Sequence, residues 1–166
     1  MIPFQKFKKI PRLNRDMIIS EKLDGTNAQI YVAKKEDVDV WVEGPEAADW
    51  VYEFGNRVLV ENELDYDYNY YVFAGSRNRW ISPQDDNYGF AKWVATNKDD
   101  LARLGPGLHV GEWWGQGIQR NYGLKEKRFS LFNVAKWDEA RPKCCGVVPT
   151  IYKSISTNIS RNHLMC

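Results

Sequence analysis

The sequence predicts an α+β domain in which a mostly antiparallel sheet carries one or two helices on its outside. Apolar side chains recur with a two-residue period in several segments, and this period is typical of half-buried strands. Asp-Gly and other glycine-containing stretches separate such segments, as they do in hairpins. Helical spacing of apolar residues is clearest in one segment, 88–104.

The first two predicted strands form a hairpin. Residues 17–23 and 26–32 are the two β-rich runs, and Asp24 and Gly25 lie between them. Asp-Gly is a strong hairpin signal because glycine adopts positive φ without a steric penalty. A third strand is predicted at 38–42, where three valines alternate with other side chains.

The rest of the chain supplies further strands and the helix. Residues 44–69 are acidic and less regular, so no long element is predicted there. We predict strands at 70–74, 108–114 and 128–137, and a helix at 88–104 that ends before a Gly-Pro-Gly stop signal.

Length and composition indicate a single soluble domain over residues 1–166. No run approaches 18 apolar residues, so no membrane span is expected. The three cysteines cannot all pair and no export signal precedes them, which favours reduced thiols and a cytoplasmic protein. With only two histidines, a His-rich metal site is not expected, and we assign no metal ligands.

Charge is distributed unevenly along a chain whose net charge is only +1. Residues 1–16 and 118–143 are basic, whereas 36–67 contain eleven acids and one base. Two interpretations fit this pattern: ordinary solvated surfaces, or two basic segments that converge on a polyanion.

The segment 21–27, Glu-Lys-Leu-Asp-Gly-Thr-Asn, is the string most suggestive of chemistry. In structural terms it is a charged strand entering a turn. In chemical terms, a lysine just before such a turn can stand upright on the floor of a sheet. A free lysine is almost wholly protonated at neutral pH, so a nucleophilic one needs desolvation or neighbouring cations.

Segment 21–27 resembles motif I of covalent nucleotidyltransferases, in the form found in ATP-dependent RNA ligases of the phage T4 RNA ligase 2 type. Other segments are similar to further elements of that family in the family's order: the leader at 7–15, motif Ia at 75–80, motif III with its loop at 110–123, and motif IIIa at 129–134. Asn133 stands where the family usually has aspartate. The resemblance implies a nucleotidyltransferase (ATP-grasp-like) adenylation domain, with antiparallel sheets, flanking helices and the nucleotide in a cleft between sheets.

The resemblance also implies the reaction and its ligands. Lys22 is expected to attack the α-phosphate of ATP, expel pyrophosphate and hold AMP as a phosphoramidate. The activated AMP then serves to join RNA 5′-phosphate and 3′-hydroxyl ends. Glu21 is expected at the adenine and Asn27 near the nucleotide phosphate or the RNA end. Mg²⁺ is expected to offset the charge of the triphosphate.

The remaining expected site residues come from the later motifs. Arg77 is expected to contact the ribose or the RNA 5′-phosphate, and Arg79 is a second candidate for that task. Glu112 is expected to accept hydrogen bonds from the ribose hydroxyls, although it could be an ordinary strand residue. Phe132 is expected to stack on adenine, although out of this context it would be core. Arg120 is expected to contact RNA or nucleotide, or else to be a solvated loop residue.

Two elements of that family have no counterpart in the sequence. Motif IV carries a glutamate that helps to bind the metal, and motif V carries two lysines that contact the α-phosphate. Beyond Val134 the acids are Asp138 and Glu139, and Lys153 is the last lysine. We therefore expect a member truncated before motifs IV and V, with slow or undetectable adenylation and an exposed sheet through which copies could associate.

Two alternative functions remain open. The chain could be a non-catalytic remnant that binds a nucleotide or an RNA end. It could also carry a carbohydrate site that uses the carboxylates of Asp24 and Glu112, which in a retaining glycosidase would stand about 5–5.5 Å apart.

Overall fold

The computed structural model describes residues 17–41, 45–60 and 68–154. Contacts divide the chain into two compact units, one at Lys22–Val148 and one that combines Met1–Glu21 with Pro149–Cys166. Within the described residues, both units contain antiparallel strand pairs and the larger one also contains the helices. The predicted α+β class is therefore confirmed.

The described strands are β1 (Met17–Ser20), β2 (Thr26–Lys34), β3 (Gly55–Val60), β4 (Tyr68–Ser76), β5 (Trp80–Ile81), β6 (Gly107–Gly115), β7 (Lys127–Leu131), β8 (Gly146–Val147) and β9 (Thr150–Ser154). The described helices are α1 (Lys35–Trp41), α2 (Pro45–Phe54), α3 (Phe90–Leu101) and α4 (Val134–Trp137), and a 3₁₀ turn, Ala102–Leu104, continues α3. None of these helices has the length and apolar character that crossing a membrane requires.

One seven-stranded sheet organises the larger unit. Its strand order is β3-β4-β2-β6-β7-β8, with β5 paired to β4. Every pair is antiparallel except β7 with β8, which is parallel. In the smaller unit, β1 pairs with β9 in a separate two-stranded sheet.

The hairpin predicted around Asp24 and Gly25 is wrong. The strand before the turn ends at Ser20 and pairs with β9, whereas β2 pairs with β4 and β6. Gly25 does not have a positive φ either. Its lack of a side chain serves a close approach to β6 instead, because a Cβ there would lie 2.5 Å from the Trp113 carbonyl oxygen.

The strand predicted at 38–42 is also wrong, because this segment lies largely in helix α1. Glu36 and Asp37 lie in the first turn, where negative charge favours a helix. Val38 is buried in a cluster with Ala33, Val51 and Phe73, so tertiary packing outweighs the strand propensity of the valines.

The acidic stretch 44–69 contains α2 and β3, which the sequence pattern did not indicate. The helix predicted at 88–104 is confirmed as α3 and its 3₁₀ turn, and the strands predicted at 70–74 and 108–114 are confirmed within β4 and β6. The strand predicted at 128–137 stops at Leu131. The side chain of Asn133 then caps α4 by accepting a hydrogen bond from the Lys136 N–H at 3.1 Å.

The two faces of the large sheet differ in how they are covered. One face is buried beneath α3, whose Phe90, Val94 and Leu101 pack in the main core with strand residues such as Ile30 and Phe129. We call the opposite face the outer face. Alternate residues of each strand point to it, since side chains alternate along a strand.

Strand register arranges the outer face in rows that run across the strands. The polar row contains Asn27, Glu112 and Ser130, which are direct register partners. The middle row contains Gly75, Gln29, Val110 and Phe132. Phe132 joins this row because its N–H donates to the Val110 carbonyl at 3.1 Å.

Described residues of the larger unit cover the two ends of the outer face and leave the part between them open. At one end, Phe73 stacks on Trp50 of α2 with ring centroids 5.2 Å apart. At the other end, Leu23, Trp114 and Val148 belong to a small buried cluster. The cleft between these ends is where the middle row lies.

Candidate functional site

The turn from Lys22 to Gly25 is held firmly against β6. The side chain of Leu23 is 6% exposed and packs in the cluster with Trp114. The Gly25 N–H donates to Glu112 Oε1 at 3.0 Å, and the Asp24 N–H donates to the Tyr122 hydroxyl at 2.7 Å. Two hydrogen bonds from backbone N–H groups and one buried side chain therefore fix a turn in which the side chains of Lys22 and Asp24 are exposed.

Glu112 lies at the centre of this arrangement. It is only 8% exposed, and Asn27 Nδ2 donates to its Oε2 at 3.2 Å while Gly25 donates to Oε1. Each carboxylate oxygen has two lone pairs, so both can still accept a hydrogen bond from a ligand.

Burial raises the pKa of Glu112 above its ordinary value of 4.5. The Gly25 N–H, the positive charge of Lys22 and the Asn27 amide oppose this rise in pKa, whereas the charge of Asp24 adds to it. The positive charge of Lys22 therefore stabilises the ionised form of this buried carboxyl.

The cleft beside this turn has a volume of about 220 Å³. Its walls combine polar groups with an apolar shelf that consists of Val110 and Phe132. The lining residues are Asn27, Ala28, Gln29, Ser76, Arg77, Val110, Gly111 and Phe132. Val110 and Phe132 are 44% and 42% exposed, so the shelf is accessible to a flat ligand.

The structure brings three of the predicted site residues into this cleft, namely Asn27, Arg77 and Phe132. Arg77 is exposed, and no group in the described part of the chain makes a hydrogen bond or an ion pair with its guanidinium. Glu112 adjoins the cleft through its hydrogen bond to Asn27. Phe132 is not a core residue, because its neighbour Leu131 faces the core and Phe132 faces the cleft.

Two predicted contacts, Arg79 and Arg120, do not line the cleft. The guanidinium of Arg79 forms a two-pronged ion pair with the carboxylate of Asp85, which engages two of its N–H donors. Arg120 is exposed in the loop between β6 and β7, where its carbonyl accepts the Tyr122 N–H at 2.7 Å.

Two other predicted elements belong to the smaller unit or to the part of the chain outside the described residues. Glu21 belongs to the smaller unit, and its N–H donates to the Pro149 carbonyl at 2.8 Å. The leader segment at 7–15 lies outside the described residues.

The loop between β6 and β7 is built from strained backbone. Gln119, Asn121 and Tyr122 all have positive φ, which is uncommon for residues other than glycine. The Asn121 side chain accepts the Gly117 N–H at 3.2 Å and closes the loop on itself. The result is to hold the Tyr122 ring edge-on to Trp114, at a centroid distance of 5.2 Å, with its hydroxyl at the Lys22 turn.

The described residues do not form a metal site by themselves. No group of three or more His, Cys, Asp or Glu side chains in the described ranges is placed to hold an ion. The side chains in these ranges therefore supply too few clustered carboxylates to hold Mg²⁺ without further ligands.

The sequence interpretation missed two residues of the site, Gln29 and Tyr122. Gln29 lies two positions after Asn27 in β2, so the strand period alone places both on one face. Tyr122 could not be found in that way, since its position depends on the path of an irregular loop.

Comparison with known proteins yields one match. A protein-family model described as RNA ligase matches residues 15–163. The matched range contains the Lys22 turn, Glu112 and all residues that line the cleft. No curated protein and no solved structure matches the chain.

Proposed function

Because the chain belongs to the RNA ligase family, we propose that it is an ATP-dependent RNA ligase-like adenylyltransferase of the phage T4 RNA ligase 2 type. Lys22 carries AMP as a lysyl-AMP intermediate, and the protein joins RNA 5′-phosphate and 3′-hydroxyl ends. The fold that this proposal implies is the nucleotidyltransferase fold, with the nucleotide in the cleft of the outer face.

One observation carries the proposal: the turn that presents Lys22 is fixed against Glu112 at the edge of an open cleft. The hydrogen bond from Gly25 to Glu112 and the buried side chain of Leu23 hold the turn in place. Such fixation supports nucleophilic catalysis, because an attacking group that is already positioned loses little freedom on reaching the transition state.

The first step forms one bond and breaks another. The neutral amine of Lys22 attacks the α-phosphorus of ATP, an N–P bond forms, and the P–O bond to pyrophosphate breaks. The amine loses one proton to solvent. The 5′-phosphate of RNA then displaces Lys22 from phosphorus, and attack by the 3′-hydroxyl finally releases AMP and joins the ends.

The cleft residues suit the parts of this substrate. Glu112 can accept hydrogen bonds from ribose hydroxyls, since each of its oxygens retains a lone pair. The guanidinium of Arg77, which has no partner among the described residues, suits a phosphate or a ribose oxygen. Phe132 offers an exposed ring for stacking with the base, and Asn27 adjoins the ribose or phosphate end of the cleft.

In this proposal Mg²⁺ arrives with the triphosphate, whose oxygens are ligands that this ion prefers. It supplies charge neutralisation when bound. The described side chains are not assigned as its ligands. Arg79, Arg120 and Glu21 stay predicted contacts that are not among the residues lining the cleft.

The test is a covalent labelling experiment. Wild-type protein incubated for a long period with α-phosphate-labelled ATP and Mg²⁺ should retain label through denaturing electrophoresis. Lys22→Ala should show none, whereas Lys92→Ala, which removes an exposed lysine on α3, should be labelled like the wild type. Labelled protein that is given RNA with a 5′-phosphate should then pass its label to the RNA.

Absence of label on the wild type would overturn the catalytic proposal. If the unlabelled protein nevertheless binds AMP or 5′-phosphorylated RNA, the chain is a binding module instead. The family match provides no support for the carbohydrate alternative.

A further inference from the structure

The middle row contains one polar side chain, Gln29, between the apolar shelf and Gly75. We propose that the Gln29 amide recognises the N6 and N7 atoms of a purine stacked on Phe132, and so selects adenine over guanine. This inference rests on the proposed function, because it assigns the base-recognition residue of the same nucleotide site.

Row geometry places Gln29 at the edge of a stacked base. Phe132, Val110 and Gln29 lie on three adjacent strand positions, and neighbouring strands are about 4.8 Å apart. The backbone of Phe132 is thus roughly 10 Å from that of Gln29. The Gln29 side chain extends away from Val110, over Gly75 of the next strand. A purine that overlaps the Phe132 ring and covers Val110 and the Gln29 backbone therefore points its edge at the Gln29 amide.

The sugar of such a nucleotide falls beside the polar row. The polar row lies two residues further along each strand, which is roughly 6.6–6.8 Å. Asn27 and Glu112 belong to that row, and both are hydrogen-bonded to each other. A base over the middle row therefore has its ribose next to the buried carboxylate.

The hydrogen bond of Gln29 to β4 determines which end of its amide is the nitrogen and which is the oxygen. Gln29 Nε2 donates to the Ser76 carbonyl at 2.9 Å, and a carbonyl oxygen only accepts. Within the described residues this is the one hydrogen bond of the side chain, so Oε1 and the second N–H are left for a ligand. The amide presents one acceptor and one donor side by side.

Gly75 supports this orientation through the space that it leaves. A Cβ at Gly75 would lie 2.7 Å from Gln29 Cγ and 2.8 Å from Nε2. Any other residue at position 75 would displace the side chain from its place across β4. The lack of a side chain at Gly75 thus allows the amide to lie beside Ser76.

The donor and acceptor of Gln29 complement adenine and not guanine. Adenine presents an amino donor at N6 beside an acceptor at N7, and a glutamine amide pairs with both. Guanine presents acceptors at both O6 and N7, so its O6 would face Oε1 with no hydrogen between them. A site with an unpaired polar group rejects such a ligand.

The experiment compares equilibrium binding of nucleoside monophosphates, which carry the base but cannot be transferred to Lys22. The full chain is titrated with AMP, GMP, 7-deaza-AMP and purine riboside 5′-monophosphate. AMP should bind about 5- to 150-fold more tightly than GMP, the range for a bidentate amide–base pair. Loss of N7 or of the amino group should each weaken binding about 2- to 13-fold.

The same series is then repeated with Gln29→Met, which keeps the length of the side chain and removes both polar groups. The variant should bind all four ligands within about 2-fold of one another. Because the wild-type series tests the proposal from the ligand side, it does not depend on the variant folding. Equal affinity of the wild type for AMP and GMP would overturn the inference. So would a folded Gln29→Met variant in which loss of N7 or of the amino group weakens binding as much as it does in the wild type.

Labelling with ATP separates this inference from the proposed function. Label on Lys22 with no preference for AMP would overturn the inference alone. A preference for AMP that disappears in Gln29→Met, without label on Lys22, would overturn the ligase proposal and support base recognition. Failure of every monophosphate to bind would overturn the inference.

Discussion

Among single residues, Glu112 shows how the candidate site affects the stability of the folded protein. Burial in the protein raises the pKa of this carboxyl, so its ionised form is less stable in the folded state than in the unfolded state. The hydrogen bonds from Gly25 and Asn27 offset part of that cost. A buried carboxylate that destabilises the protein at neutral pH is typical of a functional site.

Replacing Glu112 with glutamine tests this balance. The folded state binds the Glu112 proton more tightly than the unfolded state, so the contribution of this group to stability decreases as pH rises from 4.5 through the raised pKa. Gln does not titrate, and the unfolding free energy of Glu112→Gln relative to wild type should therefore increase over that window. Chemical denaturation at several pH values measures this difference in unfolding free energy.

The same substitution should also weaken ligand binding. AMP affinity at neutral pH should decrease about 10- to 150-fold with loss of charge-assisted hydrogen bonds.

If the two proteins show the same pH dependence, Glu112 is not the buried ionised group described above. If AMP binding is unchanged, its carboxylate does not contact the ribose. The two readouts therefore test the electrostatic and the ligand-binding statement separately.

At the scale of elements, the loop between β6 and β7 has a defined task. Its strained residues, Gln119, Asn121 and Tyr122, are held in place by hydrogen bonds within the loop. Their common result is that the Tyr122 hydroxyl accepts the Asp24 N–H, two residues from Lys22. The loop thus positions the lysine turn from one side while β6 positions it from the other.

Tyr122→Phe removes the hydroxyl and leaves the ring packed against Trp114. Loss of one hydrogen bond should lower the unfolding free energy by about 0.5–1.5 kcal/mol. The rate of lysyl-AMP formation should fall about 2- to 13-fold, with the affinity for AMP unchanged, because the residue positions the turn and not the base. Single-turnover labelling and AMP titration measure the two quantities.

Tyr122→Leu serves as the comparison, since it also removes the ring. It should lower stability further through lost packing with Trp114. A labelling rate for Tyr122→Phe equal to that of the wild type would show that the hydrogen bond to Asp24 does not position Lys22.

At the scale of the whole molecule, the sheet has one face for stability and one for function. Among the described residues of the larger unit, α3 covers the inner face with a continuous core, whereas the outer face is covered at its two ends. Phe129 and Phe132 illustrate the difference, because they are three residues apart and 0% and 42% exposed. A phenylalanine side chain therefore stabilises the core on the inner face, whereas on the outer face it is available to a ligand.

This contrast predicts different outcomes for two substitutions of one type. Phe129→Ala should lower the unfolding free energy by about 3–5 kcal/mol, as expected for a buried aromatic side chain. Phe132→Ala should change stability by less than about 1 kcal/mol and weaken AMP binding by roughly 5- to 150-fold, by analogy with base–aromatic stacking of about 1–3 kcal/mol. Thermal unfolding and titration with AMP measure both. A large stability loss in Phe132→Ala would place this ring in the core.

Much of the site could be predicted from sequence because its residues lie on regular strands. Asn27, Glu112 and Phe132 each belong to a short motif, and each is placed by strand periodicity. Arg79 shows the limit of that reasoning. Its ion pair with Asp85, six residues along the chain, depends on the turn after β5, and residue type alone could not separate it from Arg77.

The α+β class, helix α3, the central strands and the resemblance to RNA ligases could be predicted from the sequence, since these depend on local period and motif order. The folded structure instead shows that β1 pairs with β9, that 35–41 is helical, and that Gly25 is needed for contact with β6. It also decided that Gln29 lies on the same row as Phe132. The physical reason is that strand partners and buried neighbours are distant in sequence, so their energies appear only when the chain is folded.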